Sequence, residues 1–223
     1  MWKSVIYKEW LKIRWFQLGM ILIGLLITGN IFLKVQHEIL FREANNLWYF
    51  ILFQGYSYFG GLIKYLPLVI GAALSIAQFV PEITSKRIKL TFHLPIEENR
   101  ILLMMLGFGF ACLFLTFLVI YLLFIGLSHH FFAPEIVSAA NISVIPWFMA
   151  GLTAYFMIAM VVLEPVWKYR VFYVIVTYFC IMLYMEPSLP GSYAPLNGKL
   201  AIVTILSSIS LLFSAYRFRK GEM

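Results

Sequence analysis

The sequence predicts an all-α, polytopic membrane protein with six transmembrane helices and both termini on the cytoplasmic side. Three observations carry that expectation. The 223 residues are 62% hydrophobic and only 12% charged, with a mean hydropathy of +0.89, far from the averages of soluble domains. Charge-free runs recur at lengths that cross a hydrocarbon core of about 30 Å, which takes roughly 20 helical residues. Lysine and arginine fall unevenly between the connections, as the positive-inside rule demands of one orientation. A single transmembrane domain over residues 1–223 absorbs the chain, and no soluble domain fits within it.

Taken in order, residues 2–15 read as an interfacial helix, with Trp2, Val5, Ile6, Trp10 and Ile13 mostly on one face and Lys3, Ser4, Lys8 and Lys12 opposite. Glu9 falls on the apolar edge and weakens that pattern. The first span, 15–33, carries no charge; it is long for a signal peptide and no A-x-A-like site follows, so a retained helix is expected. Residues 34–43 are polar. From Ala44 to Pro81 the only charge is Lys64, and this stretch is either an aromatic interfacial segment, 48–59, leading into a span at 62–80, or two separate spans turning at Lys64. The third span lies within 101–127. Residues 128–143 read as an external loop with His129, His130 and Glu135; the fourth span is 144–163, the fifth 171–185 and the sixth 200–216, with a Pro- and Gly-rich turn before the last.

Charge decides between six spans and seven. With six, 13 Lys and Arg lie inside: four N-terminal, four between Lys86 and Arg100, Lys168 with Arg170, and three C-terminal. Four lie outside: Lys34, Arg42, Lys64 and Lys199. Seven spans would place 6 inside and 11 outside, so six are favoured.

Charge concentrates in residues 81–100, PEITSKRIKLTFHLPIEENR, between two almost wholly apolar stretches. Pro81 is expected to end the second span. Lys86, Arg87 and Lys89 form a basic cluster, Leu94-Pro95 forces an extended or turn step, and Glu97, Glu98 and Asn99 can cap the next helix. At the least this is a solvated loop between two spans. The positions Phe79, Glu82, Lys86, Arg87, Leu94, Pro95 and Arg100 resemble the loop between the second and third helices of ABC-2 type permeases, the membrane subunits of ATP-driven exporters. The N-terminal run Lys8-Glu9-Trp10-Leu11-Lys12-Ile13-Arg14 looks like that family's first segment. The resemblance implies a bacterial cytoplasmic (inner) membrane location and a second permease subunit, as homodimer or heterodimer. It also implies an ABC ATPase subunit docked on the loop as a coupling segment, with ATP and Mg held by that partner.

In such a docking, Lys86 and Arg87 would offer rim charges, and Ile88, Leu90, Phe92 and Leu94 the apolar anchors before Pro95. Glu82, at the membrane boundary, would transmit movement or hold the loop against a neighbouring basic group. This chain itself has no G-x-x-x-x-G-K-[ST] loop for ATP and no nucleophile–base pair within the spans, so it is not expected to be an enzyme. The alternatives are a non-transporting scaffold that recruits a soluble partner through residues 81–100 and, behind it, a membrane-embedded enzyme.

Other features have plainer readings. The two cysteines, Cys112 and Cys180, fall within spans as packing residues. His129, His130 and Glu135 lack a further ligand, and adjacent helical residues point apart, so no metal is expected. Nor is nucleic acid, because the net charge of +7 is spent on topology. Gly71 and Ser75, Gly107 and Ala111, and Ala201, Thr204 and Ser208 share helix faces and read as packing seams. Asn30, Gln54 and Gln78 sit near span ends, where water or headgroups would satisfy them. No residue identifies a substrate, and membrane lipid is the remaining expected contact.

Overall fold

The computed structural model describes residues 2–42, 49, 51, 58–84, 98–186 and 194–220, with side chains given up to residue 210. The described residues contain no strand, and six long helices follow one another: α1 Trp2–Arg42, α2 Gly60–Thr84, α3 Glu98–Phe131, α4 Pro134–Leu163, α5 Trp167–Met185 and α6 Asn197–Lys220. Within the first five of these, Lys3–Phe41, Gly61–Thr84, Arg100–Phe131, Pro134–Leu163 and Trp167–Met185 are long and apolar enough to cross a membrane. The chain is thus all-helical and built as a multi-pass membrane protein.

Three boundaries differ from the sequence expectations, each for a physical reason. The interfacial helix 2–15 and the first span are one helix of 41 residues, about 60 Å long at 1.5 Å per residue. No proline interrupts it, and Lys8, Glu9 and Lys12 find partners inside the bundle rather than in the interface. Pro81 does not end the second span; it lies in the last turns of α2, which continues to Thr84, where Thr84 Oγ1 donates to the Val80 carbonyl at 2.9 Å. The external loop expected at 128–143 shrinks to a break around Phe132 and Ala133, with Pro134 opening α4. His129 and His130 close α3, and Glu135 sits in the first turn of α4, where the helix dipole favours a carboxylate. Residues 43–48, 50 and 52–57, which include most of the segment 48–59 whose topology is ambiguous from sequence, lie outside the described residues.

α4 is the central helix. Its most apolar stretch is 61% buried, against 17% for α5 at the periphery, and it packs on α2, α3, α5 and α6. α1 packs on α3 and α2. The closest crossing joins α2 and α4: a Cβ added to Gly71 would overlap the Gly151 carbonyl, and one added to Gly151 would overlap the Pro67 carbonyl. Backbones meet there because neither residue has a side chain, which is how helices gain contact where lipid offers no hydrophobic drive. Ser75, one turn on, is fully buried. On α3, by contrast, Gly107 and Ala111 face outward, and the close approach falls to Gly109.

α6 is held through Leu200, Thr204 and Ser207. The Thr204 hydroxyl lies 3.0 Å from the Tyr184 hydroxyl of α5 and 3.2 Å from Thr153 Oγ1 of α4, and Tyr184 donates to the Leu200 carbonyl at 3.1 Å. Ala201 and Ser208 flank this seam, half-buried. α5 is fixed at both ends: Arg170 donates to the Glu164 carbonyl across the linker at 2.7 Å, and Lys64 of α2 donates to the Met185 carbonyl at 2.5 Å, where its charge complements the helix C-terminus.

At the end of the bundle formed by the C-terminus of α1 and the start of α2, aromatic rings supply the core. Phe32 packs on Phe124 at 5.8 Å, Tyr58 on Phe132 at 4.2 Å and Phe59 on Trp147 at 5.6 Å between ring centroids.

Alanine at Gly71 or Gly151 should lower stability by about 1–3 kcal/mol through overpacking. The same change at Gly107, which has open space around it, should be neutral or stabilising because alanine is the better helix former. Thermal unfolding in one detergent reads the contrast.

Candidate functional site

Helical periodicity carries charge into the opposite end of the bundle. On α1, Val5, Glu9, Ile13 and Gln17 recur every four residues and form one buried face, so the apolar neighbours draw Glu9 inward. Lys8 and Lys12 occupy the adjoining stripe. On α2, Ser75, Gln78 and Glu82 are all fully buried. α3 contributes the Met105 carbonyl, and α4 the hydroxyl of Tyr155, itself fully buried.

These groups form one continuous network. Lys8 Nζ reaches both Glu82 oxygens, Oε1 at 2.9 Å and Oε2 at 3.1 Å. Lys12 Nζ bridges the two acids, 3.1 Å from Glu82 Oε1 and 2.9 Å from Glu9 Oε1. Glu9 Oε2 accepts from Gln78 Nε2 at 3.0 Å, and the same amide nitrogen donates to the Met105 carbonyl at 2.7 Å. Gln78 Oε1 in turn accepts from the Tyr155 hydroxyl at 2.8 Å. Both amide protons and the amide oxygen of Gln78 are therefore satisfied, as a buried amide requires.

Two ammonium groups balance two carboxylates, and access falls along the chain: the Lys8 side chain is 38% exposed, that of Lys12 13%, and those of both acids 1%. The network runs from the rim of the bundle to its central helix. Its geometry depends on Gly109, where an added Cβ would overlap both the Tyr155 hydroxyl and Gln78 Oε1. Phe79 packs beside it, its ring 6.3 Å from that of Tyr155.

Of the residues predicted to couple to a partner, Glu82 lies in this network, held by the basic groups of α1. Lys86, Arg87, Ile88, Leu90, Phe92, Leu94 and Pro95 fall in 85–97, outside the described residues. Arg100 is exposed at the start of α3. The expectation that Gln78 is satisfied by water or headgroups is corrected: it is fully buried and bonded to three other residues. Glu9 and Tyr155 went unrecognised. The signal for Glu9 was present, since it stands four residues from both Val5 and Ile13; Tyr155 had none, because only packing brings α4 to α2.

Chemically, the arrangement is a clamp. Separating the lysines from the acids would leave a charge in a poorly solvating surround, so the adjoining ends of α1 and α2 are constrained to move together, with α4 attached through Gln78. Comparisons with protein-family models, curated proteins and solved structures find no match to this chain.

Lys12 contacts both acids and is the better buried of the two lysines. Lys12→Met should therefore destabilise the protein by about 3–5 kcal/mol, the range for breaking a buried pair. Lys8→Met should cost less than half as much, because its ammonium is already partly hydrated. Denaturation of the purified variants in one detergent gives the ranking, and an equal loss would mean that Lys12 does not bridge the acids.

Proposed function

We propose that this chain is the permease subunit of an ABC transporter, an exporter in which a separate ATPase subunit binds residues 81–100 and drives substrate across the membrane. The reading rests on one observation above all: the clamp of Lys8, Glu9, Lys12 and Glu82 lies immediately before the basic segment 85–97 and connects it to the central helix. A pull or push on that segment acts first on Thr84 and Glu82. Lys8 and Lys12 pass it to α1, and Gln78 passes it to α4 through Tyr155. Packed helices of this kind respond by switching between discrete arrangements rather than by bending, the element that alternating access needs.

In this proposal the bundle has six spans. α6, charge-free from Leu200 to Tyr216, is the sixth, and both termini lie on the cytoplasmic side of a bacterial membrane with 13 of the 17 basic residues. ATP and Mg are bound by the partner, and a second permease subunit completes the translocation path.

Cysteines at Ser4 or Ser85 should react in intact cells only with membrane-permeant thiol reagents, whereas cysteines at Ser138 or Ser192 should react with impermeant ones. Labelling of Ser85 from outside would overturn the topology.

Coupling is read by capturing the co-purifying ATPase and measuring its turnover in lipid vesicles. Glu82→Gln should leave the complex assembled while weakening stimulation of turnover, because it loosens the clamp without altering the docking contacts assigned to Lys86 through Pro95. Lys86→Glu with Arg87→Glu should weaken assembly in a salt-sensitive way, and Leu90→Ala or Phe92→Ala at all salt concentrations. If a soluble partner binds but has no ATPase activity, the chain is a scaffold. If every variant behaves like the parent, the segment is only a connector.

A further inference from the structure

The aromatic end of the bundle holds a cavity of ≈ 220 Å³ between α1 and the start of α2, lined by Asn30, Lys34, Glu38, Tyr58, Phe59 and Leu62 among others. Asn30, Lys34 and Glu38 recur every four residues, so they form one polar stripe along α1. They sit just where the charge-free run of α1 gives way to polar sequence, the depth of a lipid headgroup. Opposite them, Tyr58 and Phe59 form a buried aromatic floor.

The polar stripe holds one cation and one anion with no ion pair to either among the described residues. Lysine placed four residues before glutamate is the weaker orientation for pairing along a helix, which leaves both groups open to an outside ligand. The floor is electrically neutral. Tyr58 donates its hydroxyl to Ser128 Oγ at 3.1 Å, and burial pushes the phenol up to about 12 despite the opposing effect of that bond. A ligand here therefore meets a positive point, a negative point one helical turn away, an amide at Asn30 and an apolar wall.

We propose that this cavity binds the headgroup of a zwitterionic phospholipid of the phosphoethanolamine type. The phosphate would pair with Lys34 and hydrogen-bond to Asn30, and the primary ammonium would donate to Glu38. A trimethylammonium headgroup has no such protons to give, and a glycerol headgroup has no cation for Glu38. The cavity is ≈ 220 Å³ and partly open to the surface, so a headgroup can sit in it while its chains continue outside. The acyl chains would leave over Leu26 and Leu33, both exposed on the neighbouring stripe of α1. This site is independent of whatever docks at the charged end.

Binding is measured on the full chain in detergent by native mass spectrometry and by thermal unfolding. The arms add phosphatidylethanolamine, phosphatidylcholine, phosphatidylglycerol or soluble phosphoethanolamine. Phosphatidylethanolamine should bind about tenfold more tightly than the other two lipids and raise the unfolding temperature most. Glu38→Gln should abolish that roughly tenfold preference, whereas Lys34→Gln, which removes the phosphate contact that all three lipids share, should weaken all three about tenfold and leave their ranking unchanged. Because Lys34 is exposed and Glu38 half-buried, both variants should unfold like the parent without lipid. If a variant does not fold, the headgroup ranking on the parent protein still decides. Equal binding of all three lipids, unchanged preference in folded Glu38→Gln, unchanged affinity in folded Lys34→Gln, or an equal effect of soluble phosphoethanolamine would each overturn the proposal.

Discussion

Lipid cannot solvate charge, and the protein places four charged side chains where α1 and α2 close on α3 and α4. Glu9 and Glu82 are inaccessible, so their stability depends on the lysines reaching them, and the lysines reach them only if α1 and α2 close side by side. The same constraint orders the neighbouring apolar contacts. Gln78 can satisfy Glu9 only from the buried face of α2, and Tyr155 can satisfy Gln78 only if α3 offers a glycine at position 109. One electrostatic demand thus fixes the mutual placement of four helices, and Ile13, Phe79 and Met105 fill what remains.

The two ends of the bundle are held by different physics. At the charged end, contacts are directional and each depends on its partners. At the other end, Phe32, Tyr58, Phe59, Phe124 and Phe132 pack through ring contacts of several geometries, which tolerate small shifts at low cost. The cavity lined by Asn30, Lys34 and Glu38 lies beside the second end.

Much of the fold was legible because apolar runs and charge counts report directly on lipid exposure. What escaped was whatever depended on a polar group finding a partner within the bundle. Residues 128–143 look like a loop because they bear His129, His130 and Glu135 between Ser128 and Ser143, yet Ser128 donates to the Phe124 carbonyl and Ser143 to the Ala139 carbonyl. Those bonds let the residues remain helical. Residues 2–15 look interfacial because Lys8, Glu9 and Lys12 are charged, and their burial is paid for by α2, about seventy positions away in sequence. Of the candidate site, Glu82 was legible from its place at the membrane boundary. Its partners were not, since no spacing along the chain encodes a contact between helices.

The crossing of Gly71 with Gly151 has a mechanical meaning. Gly71 stands eleven residues from the start of α2 and thirteen from its end, so the contact divides the helix into arms of about 17 and 20 Å. Around that crossing the two backbones meet with no side chain between them, Gly71 against the Gly151 carbonyl and Gly151 against the Pro67 carbonyl one turn away. The tightest constraint on α2 therefore lies near its middle, and its two ends, Glu82 in the charged network and Gly60 beside the Phe59 ring, are placed relative to it. Two missing side chains set where the helices come nearest.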